Sequence, residues 1–302
     1  MSGQQWLEIS VHVDGEAAEA ISEVFNRYGH GGAVIEHLLS SGSAAHDDMD
    51  EMIVKTYIAP DNPDLRRQIK EALWHLGQLY PIPEPSFRVL STEDWAEAWK
   101  THYAVLHVGR QTVIVPQWLE YRAQPGEAIV TLDPGMAFGT GTHPTTRLCL
   151  TALEALATPG MDVLDLGTGS GILAISAAKQ GAASVLALDV DEIAVAAAKE
   201  NVAANDVGSA VHVEAGSVEK ASGPYDLILV NILAGVICEL MGRGLAGLLK
   251  PGGTLVASGI IDCQEAQVRE ALSEQGLRIV NRLAEQDWLA LIARSPSAPG
   301  QA

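Results

Sequence analysis

From residue 162 onward the chain keeps one rhythm: a short aliphatic run, a helical stretch, then another aliphatic run. "DVLDLG", "SVLALDV", "AVHVEAG", "YDLILVN" and "GGTLVASGI" read as strands. "ILAISAAKQG", "DEIAVAAAKENVAAN", "LAGVICELMGRGLAGLL" and "CQEAQVREALSEQ" read as helices. Aliphatic strands alternating with helices specify a parallel sheet covered on both faces. "LRIVNRLAEQ" and "DWLALIAR" follow one another with no helix between, so two consecutive strands close the pattern. The fold class is α/β.

The first turn of this pattern carries chemistry. In "VLDLGTGSGIL" (163–173), Gly167, Gly169 and Gly171 stand between a strand and a helix. They let the backbone turn sharply and approach a ligand, and the helix starting at Gly171–Ile172 offers N–H groups to anionic atoms. The nicotinamide fingerprint would require a third glycine where Ile172 stands; the spacing here is G-x-G-x-G. No lysine occurs between Lys100 and Lys179, so neither glycine loop is a P-loop. Asp189 ends the second strand, where an acid accepts hydrogen bonds from ribose hydroxyls, and Asp191 is placed to cap the next helix. The combination points to an adenosine compound with few phosphates or none, and S-adenosylmethionine fits. Its ribose would go to Asp189 and its methionine moiety across Gly167–Gly171. A tight structural turn and a helix cap are the plain alternatives for these residues.

Asn231 stands at the carboxyl end of the fourth strand, where open α/β sheets place their ligands. Its side-chain carbonyl, with the backbone carbonyl of Ile232, could accept N–H bonds from an amine and aim the nitrogen lone pair. A strand-end cap is the ordinary alternative. The turn Asn231-Ile232-Leu233-Ala234 lacks the prolines and aromatic of the adenine N6 methyltransferases.

Upstream, "WLEISVHV" alternates as a strand, "GEAAEAISEVFNRYG" has helical spacing, "GGAVIEHLL" and "EMIVKTYIAP" are strands, "DLRRQIKEALWHLGQL" is a second helix and "SFRVLS" a fourth strand. The order βαββαβ is the ferredoxin-like pattern. "SSGSAAHDDMD" reads as an exposed loop between its second and third strands. "EDWAEAWKTHY" (93–103) reads as a helix with Trp95 and Trp99 packing on one face. "HVGRQTVIVPQW" (107–118) and "EAIVTL" (127–132) read as strands bracketing a polar turn. The expected boundaries are 1–91 for the α+β domain, 92–126 for a linker helix and connector strands, 127–294 for the α/β domain, and 295–302 for a disordered tail.

After "EAIVTL" comes "LDPGMAFGTGTHPTT" (132–146), a glycine- and threonine-rich loop. Together, "EDWAEAWK", "DPGMAFGTGTHPTT", "VLDLGTGSGIL", "ALDVD" and "VNILAG" resemble the bacterial ribosomal protein L11 methyltransferases. The likeness is tight over roughly residues 93–260 and rests most on "AFGTGTHPTT" followed by "NILAG"; residues 1–90 match in pattern only. It implies a Rossmann-like class I methyltransferase domain with a mostly parallel seven-stranded sheet, preceded by a ferredoxin-like domain that grips the substrate protein. It implies cofactor contacts at Thr146, Gly167, Asp189 and Asn231. It also suggests that Phe138, Gly139 and Thr142 close over the methionine end and frame the target amine. The expected activity is methyl transfer from S-adenosylmethionine to lysine side chains and an N-terminal α-amine of ribosomal protein L11, free or in the large subunit; the alternative is a class I amine methyltransferase acting on another protein, a small molecule or RNA. His143 is expected to hold the loop rather than act as a base.

A formal charge of −19 disfavours a nucleic-acid-binding face; it suits a basic protein partner, with a solubilising surface as the plain alternative. Cys149, Cys238 and Cys263 lack CxxC spacing, so neither structural zinc nor a disulfide framework is expected, and the nine histidines form no metal motif. The start "MSGQQWLEIS" lacks a basic region leading into an apolar one, and no apolar run approaches the roughly 20 residues of a membrane span. The expectation is a cytoplasmic monomer.

Overall fold

The computed structural model describes residues 5–13, 15–37, 52–60, 62–77, 82–91, 104–133 and 139–297. The chain divides into two compact units, 1–103 and 104–302. The expected loop 40–50, the helix 93–103 and Phe138 lie outside the described residues.

The first unit runs β1 (Gln5–Val13), α1 (Gly15–Tyr28), β2 (His30–His37), β3 (Met52–Ile58), α2 (Pro63–Leu76) and β4 (Ser86–Ser91). Its four strands are all antiparallel, in the order β2-β3-β1-β4. The period-2 pattern of β1 sends Leu7, Ile9, Val11 and Val13 to one face, where they meet Ala17, Ala18, Ile21 and Phe25 of α1 and Ile69 and Leu73 of α2. Asn62 caps α2 by accepting the Leu65 N–H at 3.1 Å, and Pro63 opens the helix where no amide hydrogen is needed.

The second unit begins with a small sheet of β5 (Leu106–Val108), β6 (Thr112–Pro116) and β7 (Ala128–Leu132). β5 and β6 form an antiparallel hairpin, and β6 pairs with β7 in parallel. The continuous strand expected over 107–118 is thus two strands around a turn. The main sheet follows: β8 (Asp162–Leu166), β9 (Ser184–Asp189), β10 (Val211–Ala215), β11 (Tyr225–Asn231), β12 (Leu249–Ile261), β13 (Arg278–Glu285) and β14 (Trp288–Arg294). Their order is β10-β9-β8-β11-β12-β14-β13, parallel except that β14 runs antiparallel to both neighbours.

Alternate side chains of the central strands feed two cores on opposite faces. Val163, Leu227, Leu229 and Val256 pack with α3 (Pro144–Leu156), α4 (Ile172–Lys179) and α5 (Glu192–Ala204). Leu164, Leu166, Ile228, Val230 and Leu255 pack with α6 (Ala234–Gly242) and α7 (Glu265–Glu274). Every residue of α4 from Ile172 to Ala177 is buried, as a helix apolar all round requires. The single helix expected over "LAGVICELMGRGLAGLL" instead ends at Gly242 and gives way to a 3-10 turn over Leu245–Leu248, because Gly244 takes φ 93°. At the far end the chain stays bonded past β14: Ser295 donates its N–H to Gly253 O at 2.9 Å. No helix among the described residues is long and apolar enough to cross a membrane.

Candidate active site

In the main sheet the chain works outward from β8 through β9 to β10, then restarts on the other side of β8 with β11 and β12. A crevice at the carboxyl ends of β8 and β11 is where such sheets bind ligands. The glycine turn leaves β8 there, Asn231 ends β11, and Asp189 ends the adjacent β9.

Gly167 has φ +77°, and a Cβ on it would lie 2.4 Å from Ile232 Cγ2, so only glycine lets the turn lie against the end of β11. Asp189 braces the same turn: Oδ2 accepts the Gly169 N–H at 2.9 Å and Oδ1 accepts the Asp191 N–H at 3.0 Å. Asp191 is itself the N-cap of α5, accepting the Ile193 N–H at 2.9 Å. The cap therefore falls to Asp191, while each Asp189 oxygen retains acceptor capacity toward a ligand.

Asn231 touches the opposite wall. Its Nδ2 donates to Thr146 Oγ1 at 3.4 Å, and Thr146 is fully buried in the first turn of α3. Asn231 Oδ1 is buried and has no hydrogen-bond partner. Leaving a buried carbonyl oxygen unpaired costs about 1–3 kcal/mol, which a ligand donor would recover.

The loop before α3 is held to this wall at several points. Ser170 donates its hydroxyl to Gly139 O at 2.6 Å, and a Cβ on Gly139, at φ +103°, would come within 2.8 Å of that hydroxyl. Thr142 is exposed; its hydroxyl lies 2.8 Å from that of Thr140, and its carbonyl accepts from the Arg147 guanidinium. Arg147 also pairs with Glu285, Nε to Oε1 at 2.9 Å. His143 is the N-cap of α3: its Nδ1 accepts the Thr145 N–H at 3.3 Å, lies 2.7 Å from the Thr145 hydroxyl, and the ring stands edge-on to Trp288. Burial lowers its pKa to about 4; the Arg147 charge adds to this and Glu285 opposes it. At neutral pH it is an uncharged imidazole engaged in holding the loop.

The structure thus brings Gly139, Thr146, Gly167, Gly169, Gly171, Asp189 and Asn231 to one end of the sheet and puts Thr142 in the loop that adjoins them. Three residues that the sequence reading passed over support them. Asp165 is fully buried; Oδ2 accepts the Thr168 hydroxyl at 2.6 Å and the Ala174 N–H at 3.1 Å, and Oδ1 has no partner. Burial pushes its pKa up to about 7; Asp189 adds to this, and the bonds from Thr168 and Ala174 oppose it. An acid flanked by leucines inside a strand was the signal for it. Ser170 and Asn201, both fully or nearly fully buried, join the glycine turn to the loop.

The donor set suits a nucleoside: a glycine turn that leaves room for a ligand, a carboxylate with spare lone pairs, and a buried carbonyl oxygen with no partner. Among the described residues no group of three or more His, Cys, Asp or Glu side chains is placed to hold a metal.

Residues 5–296 match the family described as "Ribosomal protein L11 methyltransferase (PrmA)". The chain is 47% identical over 328 residues to the ribosomal protein L11 methyltransferase of Chloroflexus aurantiacus, covering 98% of this chain and 100% of that one. It is 42% identical over 320 residues to the protein of that name from Herpetosiphon aurantiacus, covering 97% and 99%. The crystal structure of ribosomal protein L11 methylase from Lactobacillus delbrueckii subsp. bulgaricus superposes with a TM-score of 0.59 at 36% identity, over 65% of this chain and 100% of that one. The second unit therefore has the Rossmann-like methyltransferase fold. The chain belongs to the ribosomal protein L11 methyltransferase family.

Proposed function

We propose that this protein transfers methyl groups from S-adenosylmethionine to amino groups of ribosomal protein L11, namely lysine side chains and the N-terminal α-amine. The observation that carries this reading is the buried, unpartnered Asn231 Oδ1 beside the glycine turn. S-adenosylmethionine, when bound, supplies an electrophilic methyl group on a positively charged sulfur. Asp189 would accept its ribose hydroxyls, the Gly167–Gly171 turn would receive its methionine end, and Thr146 would contact it from the first turn of α3. Phe138, Gly139 and Thr142 would form the second wall and frame the amine.

Asn231 Oδ1 would accept one N–H of the incoming amine and so fix the direction of its lone pair. A lysine has an ordinary pKa near ~10.4 and must be neutral to attack. Walls such as Ile232 disfavour the ammonium form. With His143 tied to Thr145, the residues contribute chiefly orientation and proximity. The first unit would be the ferredoxin-like grip on the ribosomal protein, whose basic character the −19 charge complements. The setting would be the cytoplasm, with the enzyme acting as a monomer.

The test is incubation with methyl-labelled cofactor and purified ribosomal protein L11, with label mapped by mass spectrometry. Label is expected on lysine side chains and the N-terminal amine. Asn231→Ala should slow single-turnover methylation ~100-fold while its melting point stays near that of wild type. Wild-type single-turnover rates in Asn231→Ala would remove Asn231 from the mechanism.

A further inference from the structure

Helix α5 presents the buried Asn201 on the face that also buries Ala194 and Ala198, and one turn on, at its C-cap, stands the buried Asn205. Each pairs with one residue at the end of β7, Thr131 within the strand and Asp133 just beyond it, as a neighbouring strand would. Asn205 Oδ1 accepts the Thr131 N–H at 2.9 Å and its Nδ2 donates to Thr131 O at 2.6 Å. Asn201 Oδ1 accepts the Asp133 N–H at 2.9 Å and its Nδ2 donates to Asp133 O at 3.3 Å. Alternate residues of a strand point their amides the same way, so the helical i,i+4 spacing reads 131 and 133 in register.

The two asparagines differ in one respect. The remaining Asn205 bond goes to its own helix, Nδ2 to Asn201 O at 2.8 Å, whereas Asn201 Nδ2 also donates to Ser170 O at 2.9 Å, inside the glycine turn. Ser170 in turn donates its hydroxyl to Gly139 O. Asp133 and Gly139, at the two ends of residues 134–138, are thus both tied to the Asn201–Ser170 pair.

We propose that Asn201 is a positioning residue for the methyl-donor pocket, fixing Asp133 directly and Gly139 through Ser170 against the glycine turn. This rests on the cofactor reading above. Asn201 touches neither donor nor acceptor; it sets the separation of the two walls between which the donor's methionine end would lie.

Asn205 supplies the control, since it has the same side chain at the C-cap of the same helix without the link to the turn. The dissociation constant of S-adenosylhomocysteine is measured by calorimetry on the full chain, with the thermal midpoint of each variant. Asn201→Ala and Ser170→Ala should weaken binding ~10-fold or more. Asn205→Ala should lower the thermal midpoint comparably with Asn201→Ala yet bind as wild type does. Asn201→Asp keeps the acceptor toward Asp133 and loses both donors, so it should weaken binding as Asn201→Ala does; it also serves where the alanine variant fails to fold. Wild-type affinity in Asn201→Asp and Ser170→Ala, or equal weakening in Asn205→Ala, overturns the proposal alone. A folded wild-type protein that does not bind the probe overturns the cofactor reading and this proposal with it.

Discussion

At His143, the nitrogen that accepts the Thr145 N–H cannot also carry a proton while the cap persists. With a folded-state pKa of about 4 against an ordinary value near 6.5, the unfolded chain takes up the proton first. The stability held by the neutral ring is complete above pH ~6.5 and is lost as pH falls toward 4, by up to ~1.4 kcal/mol per pH unit. His143→Asn keeps a capping side chain without this titration, so denaturant midpoints measured from pH 7 to 4 should fall less steeply in the variant. Equal slopes would show that the ring is not titrating with folding. Asp165 has the opposite sign. Its folded pKa is raised to about 7, so its contribution is present at acid pH and lost as pH rises through 7. Asp165→Asn preserves an acceptor for Thr168 and Ala174 and removes the buried charge. At pH 8 it should be ~1–2 kcal/mol more stable than wild type by chemical denaturation, and a loss of stability there would mean that the charged form is needed.

Among the elements, the β5–β6 hairpin depends on a carboxylate far along the chain. Glu154, on α3, accepts the N–H groups of Arg110, Gln111 and Thr112 at 2.7–2.8 Å, and the Thr112 hydroxyl at 3.0 Å. These bonds hold its pKa below the ordinary value despite the opposing effect of burial. Glu154→Gln keeps the shape but replaces one acceptor oxygen with a donor facing other donors, and should destabilise the second unit by about 1–3 kcal/mol in urea unfolding. Wild-type stability would show that water satisfies the turn equally well. This non-local anchor explains why "HVGRQTVIVPQW" read as one strand: nothing local reveals that a glutamate more than forty residues away collects its turn amides. The main sheet was legible because each strand and helix carries its own pattern, down to the terminal pair β13 and β14. Gly167, Asp189 and Asn231 were legible for a similar reason, each standing at the end of a recognisable strand. Asn201 and Ser170 were not, because their importance lies in bonds to Asp133 and Gly139, far away in sequence. The break after α6 was written in "GRG", though apolar spacing on both sides concealed it.

For the whole molecule, the second unit holds two large cores on either face of its sheet and all of the described pocket residues, while the first has a core of its own. A chain lacking residues 1–103 is therefore expected to bind S-adenosylhomocysteine as the full chain does and to fail to methylate ribosomal protein L11. Undiminished methylation by the shortened chain would take substrate recognition away from the first unit. The central claim is that the turn at Gly167 and the carboxylate of Asp189 hold a methyl-donor nucleoside, and isothermal titration of the folded full chain with S-adenosylhomocysteine tests it directly. Saturable binding at one site per chain is expected, weakened ~100-fold in Asp189→Ala. Absence of binding by the wild type, or equal affinity in Asp189→Ala, would contradict it.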